Sequence, residues 1–185
     1  MILRKIYSFF VDTLQTLLLA AAVFLIIYVF LFRPFQVNGI SMYPNFYDKE
    51  YILTNIIALH LKNSRLGDVI VFKAPLDPDK DYIKRVIGTP GDRVLIKNGD
   101  VYLNGKRLDE SLYLKPSVKT YGESFLKEGE EITIPKDEYF VLGDNRSFSS
   151  DSREWGFVKR KSIIGESFIV YWPLKLMGVV KNPYD

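Results

Sequence analysis

The sequence predicts an all-β domain of mixed antiparallel sheets carried behind one N-terminal transmembrane α-helix. Two observations point there. Residues 13–32 contain no charged side chain, and about 20 apolar residues rising ~1.5 Å each cross a hydrocarbon core of ~30 Å. Beyond residue 33 the pattern changes to short apolar runs split by turn signals, which is how consecutive strands read.

The helix comes first. Asp12 and Arg33 stand at its two ends, where charge costs little, and Pro34 is expected to close it. A buried helix of a soluble protein rarely needs so long a charge-free run. Ala20-Ala21-Ala22 offers the small residues of a signal-peptide cleavage site, but the apolar run continues for ten more residues. No polar segment surrounds that site, so the helix reads as an uncleaved anchor. The amino terminus, Arg4 and Lys5 favour the cytoplasmic side, although Arg33 partly opposes that orientation. The organisation expected is a short cytoplasmic N-terminus over 1–12, an anchor over 13–32 and an extracytoplasmic β-rich domain over 33–185.

Strands are expected at 35–38, 51–54, 68–73, 82–87, 93–97, 100–103, 131–135, 138–142 and 163–172. Asn98-Gly99 and Asn104-Gly105 are tight-turn dipeptides, because both residue types tolerate positive φ. They predict two consecutive hairpin arms between Arg93 and Leu108, and Pro90-Gly91 marks another turn. Residues 109–130 are polar and without period, a loop or insertion. His60 falls in an ambiguous stretch, 55–61, that fits a helical turn. Roughly 150 exported residues are enough to bury one core.

Composition narrows the chemistry. There is no cysteine, so disulfides, thiol catalysis and zinc-thiolate sites are excluded. One histidine, His60, excludes His-rich metal clusters, and no cofactor is expected. The net charge of +3 is mild and the basic residues are scattered, so nucleic acid is not an expected partner. A serine-histidine triad would have to use His60, which has no acidic neighbour nearby in sequence. Lysine is then the leading base for any serine nucleophile.

Ser41 lies in Asn38-Gly39-Ile40-Ser41-Met42-Tyr43-Pro44. Read blandly it is a turn serine, but it follows the anchor by nine residues, which keeps it within ~30 Å of the membrane edge. Met42, Tyr43 and Phe46 form an apparent hydrophobic rim around it. Lys84 lies in Asp81-Tyr82-Ile83-Lys84-Arg85-Val86-Ile87. Strand alternation puts it on one face with Tyr82 and Val86, where its stem could pack while its head reaches water. Acting as a base near neutrality would need its pKa to drop about three units from ~10.4, which only an apolar pocket provides.

Four ordered segments then carry a resemblance: Gly39 to Pro44, Arg65 to Phe72, Tyr82 to Asp92 and Gly143 to Arg153, the last reading Gly-Asp-Asn-Arg-Ser-Phe-Ser-Ser-Asp-Ser-Arg. With the anchor before them and Gly165 to Pro173 after them, the chain resembles the type I signal peptidases. The resemblance spans nearly the whole chain and is weakest over 109–130. It implies a signal-peptidase-like β fold. It also implies a serine endopeptidase of the bacterial cytoplasmic (inner) membrane, single-pass, that cuts signal peptides from exported preproteins after small residues. The partners implied are those preproteins and the lipid bilayer.

By that resemblance Ser41 is the nucleophile, Lys84 the general base, and Ser149 a hydroxyl that orients the lysine amine. Asp151 with Arg153, and Asp144 with Arg85, match supporting ion pairs. The Ser41 N–H contributes to the oxyanion hole. Some members carry a serine two positions before the nucleophile as a second donor, whereas this chain has Gly39. Phe35, Val37, Tyr82 and Ile83 match pocket-lining positions, joined by Met42, along which an extended peptide lies. The residues also offer two rival readings. Ser124-Phe125-Leu126-Lys127 satisfies the S-x-x-K pattern of penicillin-recognising enzymes but lacks its S-D-N and K-T-G partners. A non-enzymatic tethered β module would have no reason to retain both Ser41 and Lys84. A signal peptidase with specialised substrates stays open.

Overall fold

The computed structural model describes residues 2–57 and 62–185. His60, and the part of the expected turn beyond residue 57, lie outside the described residues.

Helix α1 (Ile2–Leu31) begins inside the stretch assigned to the N-terminus and ends one residue before the expected span. Side chains such as Leu14, Leu17, Leu18 and Phe24 lie exposed along it. Ile2–Leu25 is long and apolar enough to cross a membrane, and so much bare apolar surface fits hydrocarbon rather than water. Pro34 is not its terminator. The chain passes at Phe32 straight into β1 (Phe32–Gln36), three residues earlier than expected. That strand lies at the sheet edge, paired among the described residues only with β2 (Tyr51–Asn55), with Pro34 opposite Leu53. An edge is where a strand accepts a residue that cannot donate.

The remaining strands are β3 (Val69–Lys73), β4 (Asp81–Gly88), β5 (Arg93–Lys97), β6 (Asp100–Leu103), β7 (Lys106–Arg107), β8 (Glu131–Thr133), β9 (Glu138–Leu142), β10 (Val158–Lys159), β11 (Ile163–Trp172) and β12 (Gly178–Val179). Among the described residues they form two sheets, and every pairing is antiparallel. The larger runs β1-β2-β11-β3-β4-β9-β10, with β12 added to β11, and the smaller runs β7-β6-β5-β8. Asn98-Gly99 joins β5 to β6 and Asn104-Gly105 joins β6 to β7, with φ of 56°, 80°, 53° and 80°. Two left-handed residues in succession give a turn whose twist matches the strands it joins.

β3 reads Val-Ile-Val-Phe without alternation because both its faces are covered. Val69 and Val71 pack with Val37, Met42, Ile52 and Val170. Ile70 and Phe72 pack with Val86, Tyr139 and Val141 on the other side. A third cluster joins the sheets, with Val94, Ile96 and Val101 against Phe140 and Leu142. Residues 109–130 contain no strand, as expected, yet they are packed rather than loose: Leu114, Thr120 and Leu126 are buried.

Central strand β4 sets the site. Its register places Lys84 opposite Ile70 and Arg85 opposite Val69, so the two cations leave the strand on opposite faces.

Candidate active site

Ser41 sits in the loop after β1. That loop is wound tight by Tyr43 N–H donating to the Ile40 carbonyl, and by Asn45 and Phe46 N–H donating to Met42. The winding turns Met42 and Phe46 inward, to 1% and 2% exposure, and leaves Tyr43 outside. The expected rim is therefore only partly a rim. Met42 belongs to the core under the loop and does not line the cleft.

Lys84 reaches Ser41 from β4. Its Nζ donates to Ser41 Oγ at 2.8 Å and to the Ile83 carbonyl at 3.1 Å, and it stands 5.3 Å from the centre of the Tyr82 ring. Only 4% of the residue is exposed. Burial, opposed by the charges of Asp151 and Asp144, lowers its pKa from 10.5 to about 8. Desolvation outweighs two nearby carboxylates because each of those is already neutralised by an arginine.

Those pairs are close and bidentate. Arg85 Nε and Nη2 donate to Asp144 at 2.9 and 2.7 Å. Arg153 Nε and Nη2 donate to Asp151 at 2.8 and 2.9 Å. Asn45 Nδ2 adds a third bond to Asp144 at 2.8 Å, and Gly143 N–H donates to Asp151 at 3.1 Å. Each carboxylate is thus satisfied inside the protein, the condition under which a buried ion pair is tolerated.

Ser149 is placed differently from the expectation. Its hydroxyl is buried and makes no hydrogen bond among the described residues, so it does not hold the lysine amine. The Ile83 carbonyl takes that proton instead. Ser149 packs against Gly143, where a Cβ would overlap Ser149 Oγ and stand 2.5 Å from the Ser41 carbonyl oxygen. Only glycine lets these two segments meet. At the other end of the nucleophile loop Gly39 has φ 97°, a conformation that a serine there would adopt only with strain. The Gly39 N–H donates to Asp48 Oδ1 at 2.6 Å, so it is committed elsewhere and is not the second oxyanion donor. The Ser41 N–H has no partner among the described residues.

Beside Ser41 and Lys84 lies a cleft of about 220 Å³, walled by Phe35, Val37, Ile52, Val71, Tyr82 and Ile83, with Asp81, Gln36, Asn38 and Ser150 also lining it. Phe35, Val37, Tyr82 and Ile83 are the pocket residues expected from the sequence. Ile52 and Val71 escaped that reading, since each sits in an apolar run indistinguishable from core. Also missed was Asn145, whose N–H donates to the Ser41 carbonyl at 2.9 Å and whose Nδ2 donates to the Ile40 carbonyl at 3.0 Å. Among the described residues no group of acidic or histidine side chains could hold a metal ion.

A lysine amine within hydrogen-bond distance of a serine hydroxyl, beside an apolar slot, is an arrangement that can activate the serine as a nucleophile. The chain belongs to the family described as signal peptidase, peptidase S26, whose profile matches residues 10–172. It is a family of peptidases. The chain is 36% identical to signal peptidase I P of Bacillus subtilis subsp. natto over 89% of its length and 90% of that protein. It is 35% identical to signal peptidase IB of Staphylococcus aureus (strain MRSA252), over 93% of its length and 96% of that protein. A crystal structure of a signal peptidase I from Enterococcus faecalis V583 is 35% identical, with a TM-score of 0.47 over 57% of this chain and 97% of that one.

Proposed function

We propose that the chain is a membrane-anchored serine endopeptidase that removes N-terminal signal peptides from exported preproteins, with Ser41 as nucleophile and Lys84 as general base. The observation that carries this reading is the 2.8 Å contact between the two side chains at a buried amine whose pKa is lowered to about 8. In the neutral amine one N–H stays on the Ile83 carbonyl and the lone pair faces Ser41. The hydroxyl then donates, Oγ attacks the scissile carbonyl, and the proton passes to Nζ. The uncommitted Ser41 N–H stabilises the oxyanion. Nζ returns the proton to the leaving amine, and a water repeats the cycle on the acyl-enzyme.

The apolar walls of the cleft offer an extended peptide its contact surface, and cutting at A-x-A sites is inferred from the family to which the chain belongs. In this reading α1 is the single anchor in the cytoplasmic membrane, Arg4 and Lys5 remain inside, and residues 33–185 lie outside. Asp144–Arg85 and Asp151–Arg153 are supports, and Ser149 fills the space over Gly143.

The test is cleavage of a preprotein carrying an Ala-x-Ala site by the full chain in detergent. The parental chain is expected to cut, and Ser41→Ala and Lys84→Ala to be inert. Cutting by both variants at the parental rate would remove the dyad.

A further inference from the structure

The segment that looked least structured in sequence is tied to the nucleophile by buried charge. Arg146 is among the most deeply buried side chains of the protein, at 2% exposure. Its Nη2 and Nη1 donate to Glu110 at 2.6 and 3.2 Å, its Nη1 also donates to Thr120 Oγ1 at 2.5 Å, and its Nε donates to the Gly143 carbonyl at 3.0 Å. Glu110 and Thr120 both come from the 109–130 segment. Arg146 follows Asn145, the residue that bonds the Ser41 and Ile40 carbonyls. One guanidinium therefore connects the outer segment, Gly143 and the backbone beneath the nucleophile.

Resting on the proposed peptidase reading, we propose that Glu110, acting through Arg146, is a positioning residue for Ser41. A buried cation needs its counter-ion. The fork of Arg146 is planar, so fixing it on Glu110 and Thr120 also fixes the chain to which it belongs. Asn145 is the next residue in that chain. Without the Glu110 charge, Arg146 is drawn away from its place towards Asp144 or water. The Asn145 clamp then loosens, and Ser41 Oγ loses its alignment with Lys84 and the scissile bond. Glu110 is not among the residues lining the cleft, so the effect falls on turnover rather than on peptide binding.

The experiment uses the full chain in detergent with a preprotein carrying an Ala-x-Ala site. It reads kcat, KM and urea stability for Glu110→Gln, Asn145→Ala and the double variant. Glu110→Gln is expected to lower kcat by about tenfold or more, the scale of a small misplacement of reacting groups, with KM unchanged. The double variant is expected to be no slower than the slower single one, because both changes release the same clamp. An unaltered kcat, a loss confined to KM, or losses that multiply in the double variant would each overturn the proposal. If Glu110→Gln does not fold, Thr120→Val is measured in its place against the same outcomes. A parental chain that cuts nothing would instead remove the peptidase reading, and this proposal with it.

Discussion

The strongest lever on this site is the proton on Lys84. An amine with the ordinary value of 10.5 is neutral in only about 0.03% of molecules at pH 7, and one lowered to about 8 is neutral in about 9%. Burial between β4 and the nucleophile loop therefore multiplies the competent population about 300-fold at neutrality. The perturbation is pH itself. kcat/KM for an Ala-x-Ala substrate should climb about tenfold per pH unit from about pH 6, bend near 8 and stay level above it. The assay is initial-rate cleavage in detergent, with fold monitored at each pH by circular dichroism. A rate unchanged from about pH 6 to about pH 10 in folded protein would refute the assignment of Lys84 as the controlling base.

Other outcomes follow from the same geometry. Lys84→Met should abolish cleavage yet raise stability near pH 7 by about 3 kcal/mol, since the folded state depresses this lysine's pKa and so disfavours its charged form. The sign is checkable by urea unfolding: the advantage is full below about pH 8, shrinks as pH rises through 10.5, and vanishes above it, where Lys84 is neutral in both states. Asp144→Asn leaves Arg85 buried without its counter-ion and should cost about 3–5 kcal/mol. It also removes a charge that raises the Lys84 pKa, so the bend in the pH profile should move to lower pH. Gly143→Ala forces a methyl between Ser149 and the Ser41 carbonyl; it should cost about 1–3 kcal/mol and depress kcat, read by thermal melting and by rate.

Much of this was legible because strands and tight turns are local. The runs at β2, β3, β5, β6, β9 and β11 carry their own apolar pattern, and Asn-Gly marks two turns through backbone sterics alone. β7, β10 and β12 are two residues each, too short to show a period, and exist because neighbouring strands offer bonds. β1 was displaced because Pro34 stops a helix and also tolerates an edge strand, and sequence cannot say which. The meeting of Ser41 with Lys84 depends on a loop folding back across 43 residues of separation, so the residues alone nominated both without joining them. Ser149 and Met42 show the converse. Each stands in the right segment, but which way a side chain turns was settled by Gly143 in one case and by the wound loop in the other. Glu110 was invisible, since nothing in a polar, aperiodic stretch announces that one carboxylate meets a buried arginine.

No spacer separates α1 from β1: the helix ends at Leu31, the strand begins at Phe32, and the Ile56 N–H locks onto the Leu31 carbonyl. Under the proposed anchoring, the joint behaves as a mast stepped directly into the hull. The slot beside Ser41 then rides at one fixed elevation over the lipid. A preprotein would be measured as well as recognised, since a small-residue site that surfaces too near the bilayer or too far from it never comes level with the serine.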